Sequence, residues 1–205
     1  MKLNYPFPHK NNYLSNNNNN NSIKTTNTSS ISRGMLFEHE LNKSNEYYIN
    51  CNKAMIYKKP TPVRIVKVDY PNRSHAKIVE AYYQTPSTTD YNGIYRGKYI
   101  DYEAKETQNL SFSFDHIFKH QVEHLKKVDE HGGIAFVIIF FKKIDKVFII
   151  DIKPFYTAYL GGQNGKRKSI RWEDIESLGG LEVSRGYTPF VDYLKQVDIM
   201  YFNDK

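Results

Sequence analysis

Hydrophobic and polar positions change period along this chain, and the changes mark its elements. From residue 36 the inward-type positions fall three or four apart, at Leu36 or Phe37, Leu41, Ser44 and Tyr48. That spacing predicts a helix over about 34–50, capped by Ser32. Shorter runs rich in β-branched and aromatic residues follow. Ala54–Tyr57 and Val63–Val68 predict two strands, interrupted by Lys58-Lys59-Pro60-Thr61-Pro62, because proline cannot donate to a ladder. Residues 70–86 carry Pro71, Arg73, Lys77 and a short apolar set, Ile78, Val79, Ala81 and Tyr82. They read either as a charged loop or as a basic, tyrosine-bearing protrusion suited to phosphates and exposed bases.

Tyr91, Ile94 and Tyr95, then Tyr99, Ile100 and Tyr102, flank Arg96-Gly97. Aromatic and β-branched residues around a two-residue, glycine-containing break predict a hairpin. A helix over 115–130 turns Ile117 or Phe118, Gln121, Leu125 and Val128 inward and ends at Gly132-Gly133. Ile134–Phe141 is apolar at every position, the pattern of a strand covered on both faces. Lys146–Asp151 predicts a further strand, and 154–160 a short helix. Next come a glycine-rich basic loop at 161–168 and a short helix capped by Ser169 with Trp172 and Ile175. The last element is an amphipathic helix with Val191, Tyr193, Leu194, Val197 and Met200. The expected class is α/β, a mixed sheet flanked by helices.

Composition adds a partner. The 205 residues carry a formal net charge of +7 despite 22 acidic side chains. An anionic partner is implied, nucleic acid first and an acidic membrane surface second. Residues 1–31 include six consecutive asparagines and no acidic residue, a composition expected to be a disordered basic tail. The lone Cys51 excludes an intramolecular disulfide and reads as a half-buried structural thiol in a reducing compartment. No apolar run approaches the ~18 residues of a membrane span. The reading is one domain with a tail, soluble and cytoplasmic.

The candidate chemistry sits on the hairpin. With Arg96-Gly97 as the turn, Tyr95 pairs with Lys98, and counting outward sets Asp90 opposite Glu103. Opposed residues have Cβ atoms roughly 4.5–5.5 Å apart. Asp101 and Lys105 share the face of Glu103, while Ile100, Tyr102 and Ala104 point to the other. Facing carboxylates repel, so either this is the solvated face of an ordinary hairpin or a cation lies between them. The order Asp90, about a dozen residues, then Glu103-Ala104-Lys105 is the Asp…Glu-x-Lys arrangement of metal-dependent nucleases. There the carboxylates hold a divalent metal and the lysine stabilises charge. Two other signals are weaker. His120-Gln121-Val122-Glu123-His124 has glutamine where a zinc protease needs its catalytic glutamate. Lys166, Arg167, Lys168 and Arg171 form the densest basic cluster; alone it reads as a solvated loop, and beside a nuclease motif as a phosphate contact.

Several segments together resemble the bacterial RecU family of Holliday junction resolvases. They are Ser32-Arg33-Gly34-Met35, KKPTPVRIVKVDYPNR from Lys58, STTDYNGIYRGKYIDYEAKET from Ser87, His120-Gln121, KSIR from Lys168 and GYTPFVDY from Gly186. The resemblance spans about 32–202. It implies a restriction-endonuclease-like core over 32–205, with a protruding stalk at about 58–86 that enters the junction centre. It implies a homodimer that uses magnesium or manganese to place paired nicks in four-way DNA junctions, during recombination, repair and chromosome segregation. A metal site of Thr88, Asp90, Glu103 and Gln121 is implied, with Lys105 as the transition-state lysine. Asp90, Glu103 and Lys105 are thus the expected catalytic residues. Arg33, Lys58, Lys59, Arg64, Arg73, Lys77, Lys166, Arg167, Lys168 and Arg171 are expected to hold DNA. Modulation of the RecA recombinase and a cytoplasmic, nucleoid-associated location belong to the same expectation. The rival is a non-catalytic junction-bridging module that acts on the recombinase. A third option, a sequence-specific restriction enzyme, lacks any evident base-reading module.

Overall fold

The computed structural model describes residues 31–72, 74–84 and 88–202, with side chains from residue 36 onward. Residues 1–30 of the tail expected at 1–31, Arg73 and the side chain of Arg33 lie outside the described residues, and Ile31 already belongs to a helix. In chain order the elements are α1 (Ile31–Asn50), β1 (Met55–Lys58), β2 (Val63–Asp69), β3 (Lys77–Tyr83), β4 (Tyr91–Tyr95), β5 (Lys98–Thr107), β6 (Ser111–Ser113), α2 (Lys119–Glu130), β7 (Ile134–Phe141), β8 (Lys146–Asp151), α3 (Ile152–Gln163), β9 (Ser169–Arg171), β10 (Leu181–Val183) and α4 (Tyr193–Tyr201).

Six strands form one mixed sheet in the order β1-β4-β5-β7-β8-β10. The β5–β7 pair is parallel and the other pairs are antiparallel. A parallel pair needs a long crossover, and here it runs through β6 and α2. Helices cover both faces. Phe37, Leu41 and Tyr48 of α1 and Leu194 and Val197 of α4 meet Ile134, Phe136, Ile138 and Phe140. Val122 and Leu125 of α2 and Phe155 of α3 meet Ala135, Val137, Ile139 and Phe141. All eight β7 residues are buried, as a strand apolar at every position requires. Among the described residues no helix is long and apolar enough to cross a membrane.

β2 and β3 stand apart as a two-stranded ribbon, every residue of which is exposed. Its pairing sorts residues by chemistry. Val63, Ile65 and Val68 oppose Tyr83, Ala81 and Ile78, while Arg64, Lys67 and Asp69 oppose Tyr82, Glu80 and Lys77.

Several local expectations are corrected. α1 already includes Ile31, so Ser32 lies within the helix and is not its cap. The 115–130 segment divides: a 3-10 turn at Phe114–His116, capped by Ser113, precedes α2. α3 continues through Gly161 and Gly162 to Gln163 instead of ending before a glycine-rich loop. Gly162 is tolerated there because the Phe114 ring and the Arg167 carbonyl occupy the space of a side chain. Ser169 does not cap a helix; it begins β9, which pairs with β6, and two 3-10 turns come after it. Cys51 is exposed rather than half-buried.

Candidate active site

Arg96 and Gly97 both have positive φ, at 48° and 78°, as a two-residue hairpin turn demands. The pairing then runs from Tyr95 with Lys98 to Tyr91 with Tyr102. One step further on, Asp90 meets Glu103, the register expected from the sequence. Asp90 N donates to Glu103 Oε2 at 3.1 Å, and Ala104 N donates to Asp90 Oδ2 at 3.2 Å. Lys105 Nζ lies 2.6 Å from Glu103 Oε1. Gln121 Nε2, from the first turn of α2, donates to the same oxygen at 2.7 Å.

This face is not the solvated side of a hairpin. Asp101 and Glu103 have no solvent exposure, because α2 closes over β5 where the expected pattern left charge outward. Burial, and then the nearby charge of Asp90, push the Glu103 carboxyl up to about 8, against the opposing pull of Lys105. Asp101 behaves differently. Burial would raise it too, but hydrogen bonds from His124, Lys59, Thr89 and Tyr99 outweigh burial and hold it below the ordinary range.

A cleft of about 220 Å³ opens beside Asp90, between Lys58–Pro62, Thr88–Asp90 and Gln121. A smaller pocket of about 90 Å³ lies among Glu38, Asp90, Lys105 and Glu106. Thr88 is half-buried in the cleft wall. The donor set fits a hard cation. Two carboxylates converge, Glu103 buried and Asp90 half-buried, and the Asp90 charge adds to burial in pushing the Glu103 carboxyl up. Among the described residues no cluster of three or more histidine, cysteine or acidic side chains forms a closed cage. Two carboxylates with neutral oxygens suit an ion that keeps several waters. Gln121 shows one departure from expectation: its Oε1 accepts from Phe118 N at 3.0 Å at the start of α2, so its amide nitrogen faces Glu103.

The expected DNA contacts separate into groups. Lys58 is 2.5 Å from Glu38 Oε1. Lys59 is drawn inward, its Nζ donating to Thr89 Oγ1 and Asp101 Oδ2, each at 2.8 Å. Arg64 and Lys77 are exposed on the ribbon. Lys166, Arg167, Lys168 and Arg171 are exposed, with Arg167 and Arg171 both directed to Asp174. Sequence reasoning missed the ring of Lys59, Thr89, Tyr99 and His124 around Asp101. The available signal was the alternation Asp101-x-Glu103-x-Lys105, together with His124 one helical turn beyond Gln121. No local pattern announces that the partners converge.

The fold is of the α/β class expected from the sequence, one mixed sheet flanked by helices, with the Asp…Glu-x-Lys hairpin lying under α2. The chain belongs to the RecU family: the family described as Recombination protein U matches residues 32–199. Proteins of Bacillus cereus (strain B4264) and Bacillus anthracis, each named Holliday junction resolvase RecU, are 48% identical over 204 residues, covering 99% of this chain and 100% of theirs. The solved structure of Archaeoglobus fulgidus Hjc, described as a Holliday junction resolvase, aligns with a TM-score of 0.39 at 13% identity, covering 74% of this chain and 92% of that one.

Proposed function

We propose that this chain is a Holliday junction resolvase, a structure-specific endonuclease that makes paired, symmetric nicks in four-way DNA junctions. Membership of a family whose relatives bear that name supports the reading. The observation that carries it is the convergence of Asp90 and Lys105 on the buried Glu103, beside an open cleft.

Asp90 and Glu103, with Thr88 and Gln121, would hold magnesium or manganese, Gln121 through an amide oxygen that here accepts from Phe118 N. Such an ion, when bound, supplies charge neutralisation at the phosphate and acidifies a water. The side chains do the rest. The Asp90 amide and the Gln121 amide group fix the two Glu103 oxygens. Lys105 stands within reach of the scissile phosphate and stabilises negative charge as it develops. The segment at about 58–86, which carries the ribbon, is the stalk that enters the junction centre, and 32–205 is the nuclease domain. Arg64, Arg73 and Lys77 of the stalk, with Arg33 and Lys166–Arg171, hold the junction arms. A homodimer suits the substrate, because two-fold symmetry sets two sites on opposing strands. Action during recombination, repair and chromosome segregation, contact with the RecA recombinase, and a cytoplasmic, nucleoid-associated location complete the reading.

Cleavage of a synthetic mobile four-way junction tests it. Parent protein in magnesium should give symmetric nicks. EDTA, Asp90→Ala and Glu103→Ala should each abolish them while junction binding persists. Tight binding without nicks in any divalent metal, indifferent to both substitutions, would overturn catalysis in favour of a bridging module.

A further inference from the structure

Asp101 belongs to neither the metal set nor the DNA contacts, yet four side chains converge on it. It has no solvent exposure. Its Oδ2 accepts from Lys59 Nζ at 2.8 Å and Tyr99 OH at 2.7 Å and meets His124 Nε2 at 3.1 Å. Its Oδ1 accepts from Thr89 Oγ1. Lys59 is fixed twice more, through Nζ to Thr89 Oγ1 and through its backbone N to Asp90 O at 2.7 Å.

Asp101 and its partners come from four segments, three of which carry a residue of the candidate site. Thr89 lies between Thr88 and Asp90. His124 is one turn beyond Gln121. Asp101 is two residues before Glu103 on the same face. Lys59 is the last residue before Pro60-Thr61-Pro62, where the chain leaves β1 for the ribbon. The prolines restrict φ, so the placement of Lys59 sets the direction in which the ribbon departs.

Stability alone does not account for a charge here. Apolar groups of similar volume often hold such segments as well or better, without the desolvation of two ions. What a hydrogen-bonded ion pair adds is direction: it is satisfied in one geometry and unsatisfied in others. Lys59 is also poorly placed to hold a phosphate while its ammonium is engaged with Asp101 and Thr89.

We propose that Asp101 and Lys59 are positioning residues, whose ion pair locks the stalk root to the Thr88–Asp90 segment so that stalk direction and cleft geometry are set together. The proposal rests on the resolvase reading and deepens it. Junction DNA that engages the ribbon acts, through Lys59, on the segment that carries Asp90. A stalk held in the wrong direction leaves the carboxylates misaligned.

The test compares parent, Lys59→Met, Asp101→Asn and the double variant by two measurements. In metal-free protein, amide hydrogen exchange should show lost protection at Lys59 and Asp90 while β7 and β8 keep theirs. With saturating junction and magnesium, the single-turnover nicking rate should fall about 10²-fold, the scale of a small misplacement at a reacting centre. Junction affinity should stay parental, and the double variant should be no worse than the worse single one. If Asp101→Asn does not fold, Lys59→Met and His124→Gln carry the test. Three results would overturn the proposal: a parental rate in a folded Lys59→Met protein; weaker, less salt-sensitive binding with the rate at saturation intact, which makes Lys59 a phosphate contact; or protection lost across the whole sheet in step with the melting temperature. If the parent itself fails to nick junctions, the resolvase reading fails, and the exchange pattern alone decides the lock.

Discussion

Asp101 and Glu103 stand two residues apart on one face of β5, both without solvent exposure, yet their surroundings drive their carboxyls in opposite directions. Asp101 has hydrogen-bond donors enough to offset burial, and Glu103 has Asp90 against it. The consequence for stability differs in sign. Between about 4.5 and about 8 the folded, metal-free protein keeps a proton on Glu103 that the unfolded chain has released. Stability from this group is therefore full at low pH and is lost as pH rises through that window. Asp101 contributes the reverse, stability present at neutral pH and lost on acidification. Urea unfolding of metal-free protein at pH 5 and pH 8 should show a decline that Glu103→Gln abolishes; a decline that survives the substitution would assign it to another group. At this scale the sequence was legible where the chemistry is local. The turn at Arg96-Gly97 and the two-residue period fix Asp90 against Glu103, and both can be read from spacing. The inward pull on Lys59 was not legible, because it depends on partners thirty and forty-two positions away.

The same contrast holds for elements. β4 and β5 were readable because their pairing is set by adjacent residues. β6 and β9 were not, since each is three residues long and is defined only by the other. The 3-10 turn before α2 and the last turn of α3 likewise depend on Phe114, whose ring fills the space above Gly162. Gly93 shows how tightly the hairpin is fitted to its neighbour. A Cβ there would lie 1.9 Å from the Met55 carbonyl oxygen and 2.6 Å from the Ile56 Cα. β1 would have to part from β4, and β1 is the strand that precedes the ribbon of β2 and β3. Gly93→Ala should therefore destabilise the protein by about 1–3 kcal/mol or more, the range for overpacked sites, seen as a lower urea midpoint. An unchanged midpoint would mean that β1 is free to shift.

Across the whole molecule, charge and topology matter more than any one side-chain pair. With a formal net charge of +7, junction binding should weaken steeply with salt. The exposed cluster at Lys166, Arg167 and Lys168 gives a quantitative check. Replacing all three with alanine should reduce the slope of log affinity against log salt by roughly 0.9 for each phosphate that these side chains neutralise. It should leave the nicking rate at saturation intact. An unchanged slope would remove this loop from the DNA-binding surface. Charge was legible from composition alone, whereas the route the DNA takes over the surface was not.

The parallel pairing of β5 with β7 has a consequence for how the protein is made. The hairpin of β4 and β5 closes across two residues, but β5 meets β7 only after β6 and α2 have been laid down. Closing that larger loop is slower, because chain entropy must be lost before the distant strands pair. During synthesis a growing chain therefore carries the whole acidic hairpin before it has the helix that buries it. In that interval Asp90, Asp101 and Glu103 sit in water, repel one another and have no fixed geometry. A nascent chain can thus display every residue of the Asp…Glu-x-Lys motif before the buried geometry of the site exists.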